Sequence, residues 1–153
     1  DMIKVMFVCH GNICRSPMAE FVFRDMVQKE KLSDKIHVAS SATSREEIGN
    51  SVHYGTRKKL AEFGISTEGK YARQLTKTDY RDYDYIIAMD SQNIRNISRI
   101  IGRDTENKVC KLLDFTNRGG DIADPWYTGN FDRTYEDVYE GCNELLKFIT
   151  SRL

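Results

Sequence analysis

A thiol and a guanidinium stand close together near the start of the chain, in the stretch VCHGNICRSP from Val8 to Pro17: Cys9, five further residues from His10 to Cys14, then Arg15. An apolar run ends at Val8 and a helical pattern begins after Arg15, so the stretch reads as a strand-to-helix loop. Such a loop turns successive backbone N–H groups inward, and the helix N-terminus adds partial positive charge, which together make a seat for an oxyanion. A thiolate at the bottom of that seat is favoured by the same N–H groups and by Arg15, making Cys9 a nucleophile near neutral pH. The planar Arg15 fork matches two equatorial oxygens of a phosphate. The implied chemistry is attack of sulfur on a phosphate ester. No metal is required, because Arg15 and the loop amides do the charge work a metal would otherwise do.

The elements that must hold this loop alternate in type. Ile3 to Val8 is apolar but for Lys4, the pattern of a strand buried on both faces, and it delivers Cys9 to that strand's carboxyl end. Ser16 reads as an N-cap and Pro17 as the first-turn proline of a helix to about Lys31, with Met18, Phe21, Val22, Met26 and Val27 at helical spacing. Ile36 to Ala42 reads as a second strand, Thr43 to Asn50 as polar loop, and His53 to Phe63 as a helix stopped by Gly64. Tyr71 to Lys77 is irregular, with a short helix after Thr78; Tyr83 to Met89 is a third strand. Ser91 caps a helix through Ile101 that ends at Gly102, and Val109 to Leu113 is a fourth strand. Asp114 to Asn130 carries neither period and reads as a long functional loop. Tyr135, Val138, Cys142, Leu145, Leu146, Ile149 and Leu153 then mark a final amphipathic helix. The fold class expected is α/β: a single-domain, doubly wound sheet of four parallel strands with helices on both faces and the phosphate loop after the first strand. Ligands in such sheets bind beyond the carboxyl ends of the strands, where Cys9 lies.

A chain of 153 residues with 40% hydrophobic and 30% charged residues and zero formal net charge is expected to form one domain over residues 1–153. That balance argues against disorder and against a nucleic-acid partner drawn by a basic field. No stretch has the length of a membrane span and no leader pattern opens the chain, so a soluble, cytoplasmic protein with no membrane partner is expected. Asp1 ahead of Met2 reads as an appended residue. The cysteines at 9, 14, 110 and 142 are too scattered for a disulfide framework or a zinc site, and free thiols suit a reducing compartment. Cys110 and Cys142 fit apolar patterns and read as core. His37 and His53 have no metal-ligand partners in the pattern, and no cofactor is expected.

The opening stretch, with DPWY at Asp124 to Tyr127 and VASSATS at Val38 to Ser44, closely resembles the low-molecular-weight protein tyrosine phosphatases. ARQLTKTDY at Ala72 to Tyr80 and YDYIIAMD at Tyr83 to Asp90 also look like family sequence, so the resemblance spans nearly the whole chain. It implies that Cys9 attacks phosphorus to form a cysteinyl-phosphate, that Arg15 holds the phosphoryl group, and that Asp124 protonates the departing phenolate and later takes a proton from water. One carboxyl serves both steps because the second reverses the first. It further implies that Asn12 holds the loop in shape through a left-handed conformation, that Ser40 braces Asn12, and that the Ser16 hydroxyl donates to the thiolate as it leaves phosphorus. His10 and Gly11 supply loop amides. Cys14 matches a neighbour that forms a reversible disulfide with the nucleophile in related enzymes, protecting it from deeper oxidation.

Trp126 and Tyr127 follow the acid and offer flat faces to a phenyl ring. Ile13 bears on substrate choice, since relatives acting on phosphoarginine look to carry threonine there. The expected partner is a protein bearing phosphotyrosine, with inorganic phosphate or other oxyanions as ligands. Two alternatives share the fold: a protein arginine phosphatase, set against by Ile13, and a thioredoxin-coupled arsenate reductase, which needs two further cysteines close together downstream. Two departures from the family pattern stand out. Lys70 occupies the place of a usual histidine, so the bonding that steadies the loop must be supplied differently. The rim around Arg45, Glu46 and Glu47 lacks an aromatic, and its carboxylates read as a solvated face.

Overall fold

Side-chain alternation along the first strand sorts the whole molecule into layers. In β1 (Ile3–Cys9), Val5, Phe7 and Cys9 face one side of the sheet and Met6 and Val8 the other, and all five are buried. The computed structural model describes residues 2–153; Asp1, read above as an appended residue, lies outside them. Strands β1, β2 (Ile36–Ala42), β3 (Tyr85–Ala88) and β4 (Val109–Lys111) form one parallel sheet in the order β2-β1-β3-β4. The chain leaves β1 toward β2 on one side and returns to β3 on the other. The order therefore reverses beside β1, which opens a crevice at its carboxyl end.

Helices α1 (Arg15–Lys29) and α6 (Phe131–Thr150) cover the face carrying Val5 and Phe7, where Phe23 meets Phe7 edge to face at 5.7 Å. Met18, Val22, Val138, Cys142, Leu145 and Ile149 fill that layer. On the opposite face Met6, Val8, Ile86 and Ala88 pack with Leu75, Tyr83 and Ile97, the last from α4 (Ser91–Ile101). The two short helices α2 (Tyr54–Ala61) and α3 (Lys77–Asp82) sit in the long connection between β2 and β3. Each fully buried side chain of this size contributes about 1.5–3 kcal/mol relative to exposure, so the two layers carry the fold.

The α/β class, the four parallel strands and the two covered faces are as the sequence implies, while several boundaries differ for physical reasons. Ser16 is not the N-cap of α1. The helix begins at Arg15 with Cys14 in the cap position and no side-chain cap bond, because the Ser16 hydroxyl is turned to Cys9. Asp90, rather than Ser91, caps α4 by accepting from the Asn93 N–H at 2.7 Å. The fourth strand stops at Lys111: Asp114 accepts the Lys111 N–H at 2.9 Å and coils Leu112–Phe115 into a 3-10 turn that drops both leucines into the core. The segment read as loop from Asp114 to Asn130 contains a one-turn helix α5 (Pro125–Thr128), and the last helix starts at Phe131, before Tyr135. Cys142 is fully buried as core, and Cys110 is partly buried against it.

Candidate active site

The loop between β1 and α1 is held from outside through its carbonyl oxygens. Cys9 O accepts from Thr43 N at 2.9 Å, His10 O from Ser44 N at 3.0 Å and Ile13 O from His53 N at 2.8 Å. Cys14 O accepts from the Thr56 hydroxyl at 3.0 Å. With the carbonyls drawn outward toward the end of β2 and the start of α2, the peptide planes leave their N–H groups to the interior of the loop. The Asn12 and Ser16 amides both approach Cys9 Sγ at 3.4 Å, and no protein acceptor among the described residues takes the amides of Gly11, Ile13 or Cys14.

Asn12 makes the tightest bend, in the left-handed region at φ 60°, the conformation its short polar side chain tolerates. Its amide orientation is fixed by the Arg73 N–H, which donates to Oδ1 at 3.2 Å, so Nδ2 must donate. It does so to Ser16 Oγ at 2.8 Å and to Ser40 Oγ at 2.9 Å. Each serine, already accepting, has its hydroxyl hydrogen free to go elsewhere. Ser40 donates to Glu20 at 2.5 Å, and Ser16 has Cys9 Sγ at 3.0 Å as its nearer acceptor, with Ser41 O at 3.4 Å. The polarity of this buried chain therefore aims a proton donor at the sulfur.

Lys70 closes the chain at its far end. Its ammonium donates to Ser40 O at 2.8 Å and lies 3.3 Å from Glu20, which Arg24 also pairs. Burial pushes the Lys70 ammonium below its ordinary value against the pull of Glu20. The support a histidine would give is thus supplied by a lysine acting through Glu20 and a backbone carbonyl.

Arg15 is almost wholly buried and is held more closely at Nη1 than at Nη2. Nη1 donates to Asp90 at 2.5 Å and to Ile122 O at 2.9 Å, while Nη2 lies 3.4 Å from Asp124. Burial alone would lower the guanidinium's affinity for its proton, but the neighbouring Cys9, Asp90 and Asp124 charges raise it above the usual value. The cation is permanent, and its Nη2 edge faces the pocket that Arg15 helps to line.

Asp124 is positioned by its own helix. As N-cap of α5 it accepts the Trp126 N–H on Oδ1 at 3.0 Å, leaving Oδ2 toward Arg15, and Pro125 at the first helical position limits its backbone. The resulting pocket has a volume of about 130 Å³. Cys9, Cys14 and Arg15 lie at its floor, Ile13 and Gly11 at its side, and Asp124 with Trp126 and Tyr127 over its mouth. The two aromatics are 58% and 83% exposed, which makes them walls of the pocket rather than core.

All the residues singled out in the sequence meet here: Cys9, His10, Gly11, Ile13, Cys14, Arg15, Asp124, Trp126 and Tyr127 around the pocket, with Asn12, Ser16 and Ser40 beneath it. The sequence reading missed Asp90, Glu20, Arg73 and Thr56. Glu46 is exposed, as a solvated rim implies, and with Glu47 it also lines the pocket, where it pairs with the His10 ring. Asp90 follows β3 directly, so the rule that ligands gather at strand carboxyl ends was the signal that pointed to it.

Three of the four thiols are pushed up by burial. Burial, then the Cys9 charge, pushes Cys14 up to about 12, and burial pushes Cys110 up to about 12 and Cys142 higher still. All three are neutral at pH 7, whereas three donors surround Cys9. Iodoacetamide at pH 7 should therefore carboxamidomethylate one cysteine per chain, at Cys9, and inorganic phosphate should protect it, as read by peptide mass spectrometry.

Sulfur, arginine and a carboxyl arranged around one oxyanion seat define the class of cysteine-dependent phosphate monoester hydrolases. The family described as low molecular weight phosphotyrosine protein phosphatase matches residues 4–152. The low molecular weight protein-tyrosine-phosphatase YfkJ of Bacillus subtilis is 44% identical over 150 residues, covering 97% of this chain and 96% of that protein. PtpA of Staphylococcus epidermidis is 42% identical over 149 residues, covering 97% and 94%. The crystal structure of YfkJ superposes with a TM-score of 0.96 at 43% identity, over 99% of this chain and 97% of that one. The chain belongs to the low molecular weight protein-tyrosine-phosphatase family. No helix among the described residues is long and apolar enough to cross a membrane.

Proposed function

We propose that residues 1–153 act as one phosphatase domain that hydrolyses phosphotyrosine in proteins through a cysteinyl-phosphate, with Cys9, Arg15 and Asp124 as the reacting machinery. The observation that carries this reading is Cys9 Sγ beneath the pocket, within reach of the Asn12 and Ser16 amides and the Ser16 hydroxyl. In the first step the Cys9 lone pair forms a bond to phosphorus. The P–O bond to the tyrosine ring breaks, and the Asp124 proton passes to the phenolate oxygen. In the second step water attacks phosphorus and gives its proton to Asp124, the P–S bond breaks, and its electron pair returns to Cys9. The Ser16 hydroxyl donates to that thiolate. Throughout, the Nη2 edge of Arg15 and the loop amides hold the equatorial oxygens, so charge stabilisation and alignment do most of the catalytic work.

The pocket favours an aryl ester. Ile13 offers an apolar side, Trp126 and Tyr127 flat faces, and a phenol with a pKa of about 10 leaves far more readily than an alkyl alcohol. The reaction belongs in the cytoplasm, a reading supported by four free cysteines, one of which has to stay reduced to work. Turnover of a phosphotyrosine peptide and of the same peptide carrying phosphoarginine, measured by phosphate release, tests the substrate. Phosphotyrosine is expected to be preferred, and Ile13→Thr to lower that preference by about tenfold, the scale of one apolar contact exchanged for a hydroxyl. A preference for phosphoarginine in the unaltered chain overturns the reading.

A further inference from the structure

His53 precedes α2 and has no part in the chemistry, yet it touches the phosphate loop, α2, α5 and the start of α6. Its backbone N–H holds the loop carbonyl of Ile13 at 2.8 Å. Its ring nitrogen Nδ1 caps α2 by accepting the Gly55 N–H at 2.9 Å, which assigns the ring hydrogen to Nε2. The imidazole face lies on Phe131, the first residue of α6, with centroids 5.3 Å apart and planes within 12°. Its edge meets Trp126 at 5.6 Å and 75°, a T-shaped contact. Gly55 is glycine for the same packing: a Cβ there would fall 2.4 Å from the Phe131 ring.

Trp126 needs such a support. It sits on the four-residue helix α5, is 58% exposed, and supplies a wall to the pocket. We propose that His53 is a positioning residue for aryl recognition: wedged between Phe131 and Trp126, its imidazole fixes the Trp126 ring as the wall against which the substrate ring rests. The proposal rests on the phosphotyrosine reading above. His53 reaches the ring of Trp126, while Asp124 is held through the Trp126 backbone, so aryl binding depends on His53 and proton transfer does not.

Two substitutions separate this role from helix capping. His53→Asn keeps a good capping acceptor and removes the ring, and His53→Phe keeps the flat ring and removes the capping acceptor. For His53→Asn, KM for phosphotyrosine is expected to rise about three- to tenfold, the loss of one aromatic contact, with kcat and the inhibition constant of inorganic phosphate within twofold of the original. Trp126 is the only tryptophan, so its fluorescence anisotropy should fall in the same variant without any substrate present. His53→Phe should melt at lower temperature yet keep KM and anisotropy near the original values. An unchanged KM and anisotropy in His53→Asn overturns the proposal, as does an equal rise in KM and in the phosphate inhibition constant, which would place the effect in the loop. An original chain that fails to turn over phosphotyrosine overturns the functional reading instead, while the anisotropy still decides whether His53 holds Trp126.

Discussion

Cys9→Ser is expected to abolish turnover of aryl phosphates, lowering kcat by about 10⁴-fold or more, because a serine hydroxyl in this seat has no adjacent base to ionise it. The groups that surround Sγ, namely the Asn12 amide, the Ser16 amide and the Ser16 hydroxyl, donate to an oxygen as readily as to a sulfur. The variant should therefore fold, melt within a few degrees of the original chain, and bind inorganic phosphate by calorimetry. Arg15 and the loop that hold the anion are untouched by the change. Activity within tenfold of the original, or activity that appears only with a divalent cation, would remove Cys9 from the reaction.

Asp124→Asn should produce a loss that depends on the leaving group. Asparagine keeps a carbonyl oxygen to accept the Trp126 N–H and remains a good N-cap, so α5 is retained and only the transferable proton is gone. For phosphotyrosine, whose phenolate is a poor leaving group, kcat is expected to fall by about 10²–10³-fold, within the range of general acid catalysis. For a nitrophenyl phosphate, whose phenolate leaves unaided, the loss should be much smaller. A series of substituted phenyl phosphates measures this as a rate that is nearly level in the original chain and steep in the variant. Equal losses across the series would show that Asp124 transfers no proton.

The parts of this site that the sequence displays openly are those that are contiguous. Cys9 through Ser16 is one turn of chain, and its meaning lies in local geometry that a strand, a loop and a helix start impose. What the sequence hides is whatever closes the loop from a distance. Arg15 meets Asp90 across 75 residues, Asn12 meets the Arg73 amide across 61, and Cys14 O meets Thr56 across 42. No periodicity reports such pairs, because each depends on how strands order themselves in the sheet. Ser16 shows a subtler failure. Its hydroxyl is a capping group by type, but it accepts from Asn12 Nδ2 and lies against Cys9 Sγ, so it is engaged on the loop side and unavailable to the helix end. Leu112 and Leu113 read as strand because they are apolar, and only the Asp114 side chain reveals that the backbone turns there. Glu46 and Glu47 read as solvated carboxylates, and Glu46 is exposed; that the β2 exit loop also brings both to the pocket is a matter of tertiary placement no local pattern reports.

The loop carbonyls of Cys9, His10, Ile13 and Cys14 are taken by the surrounding protein, while the amides of Gly11, Ile13 and Cys14 have no protein acceptor among the described residues. Folding has thus concentrated like partial charges in one small volume, next to a buried guanidinium, and an electrostatic cost of that kind is relieved by whatever anion enters. A ligand that binds only the folded chain raises its stability in proportion to the logarithm of its concentration over its dissociation constant. Inorganic phosphate, a product of the proposed reaction, should then raise the melting temperature of the folded chain as its concentration rises, which differential scanning calorimetry measures. The amides that would hold a phosphoryl group in turnover are the ones through which such an anion would steady the loop.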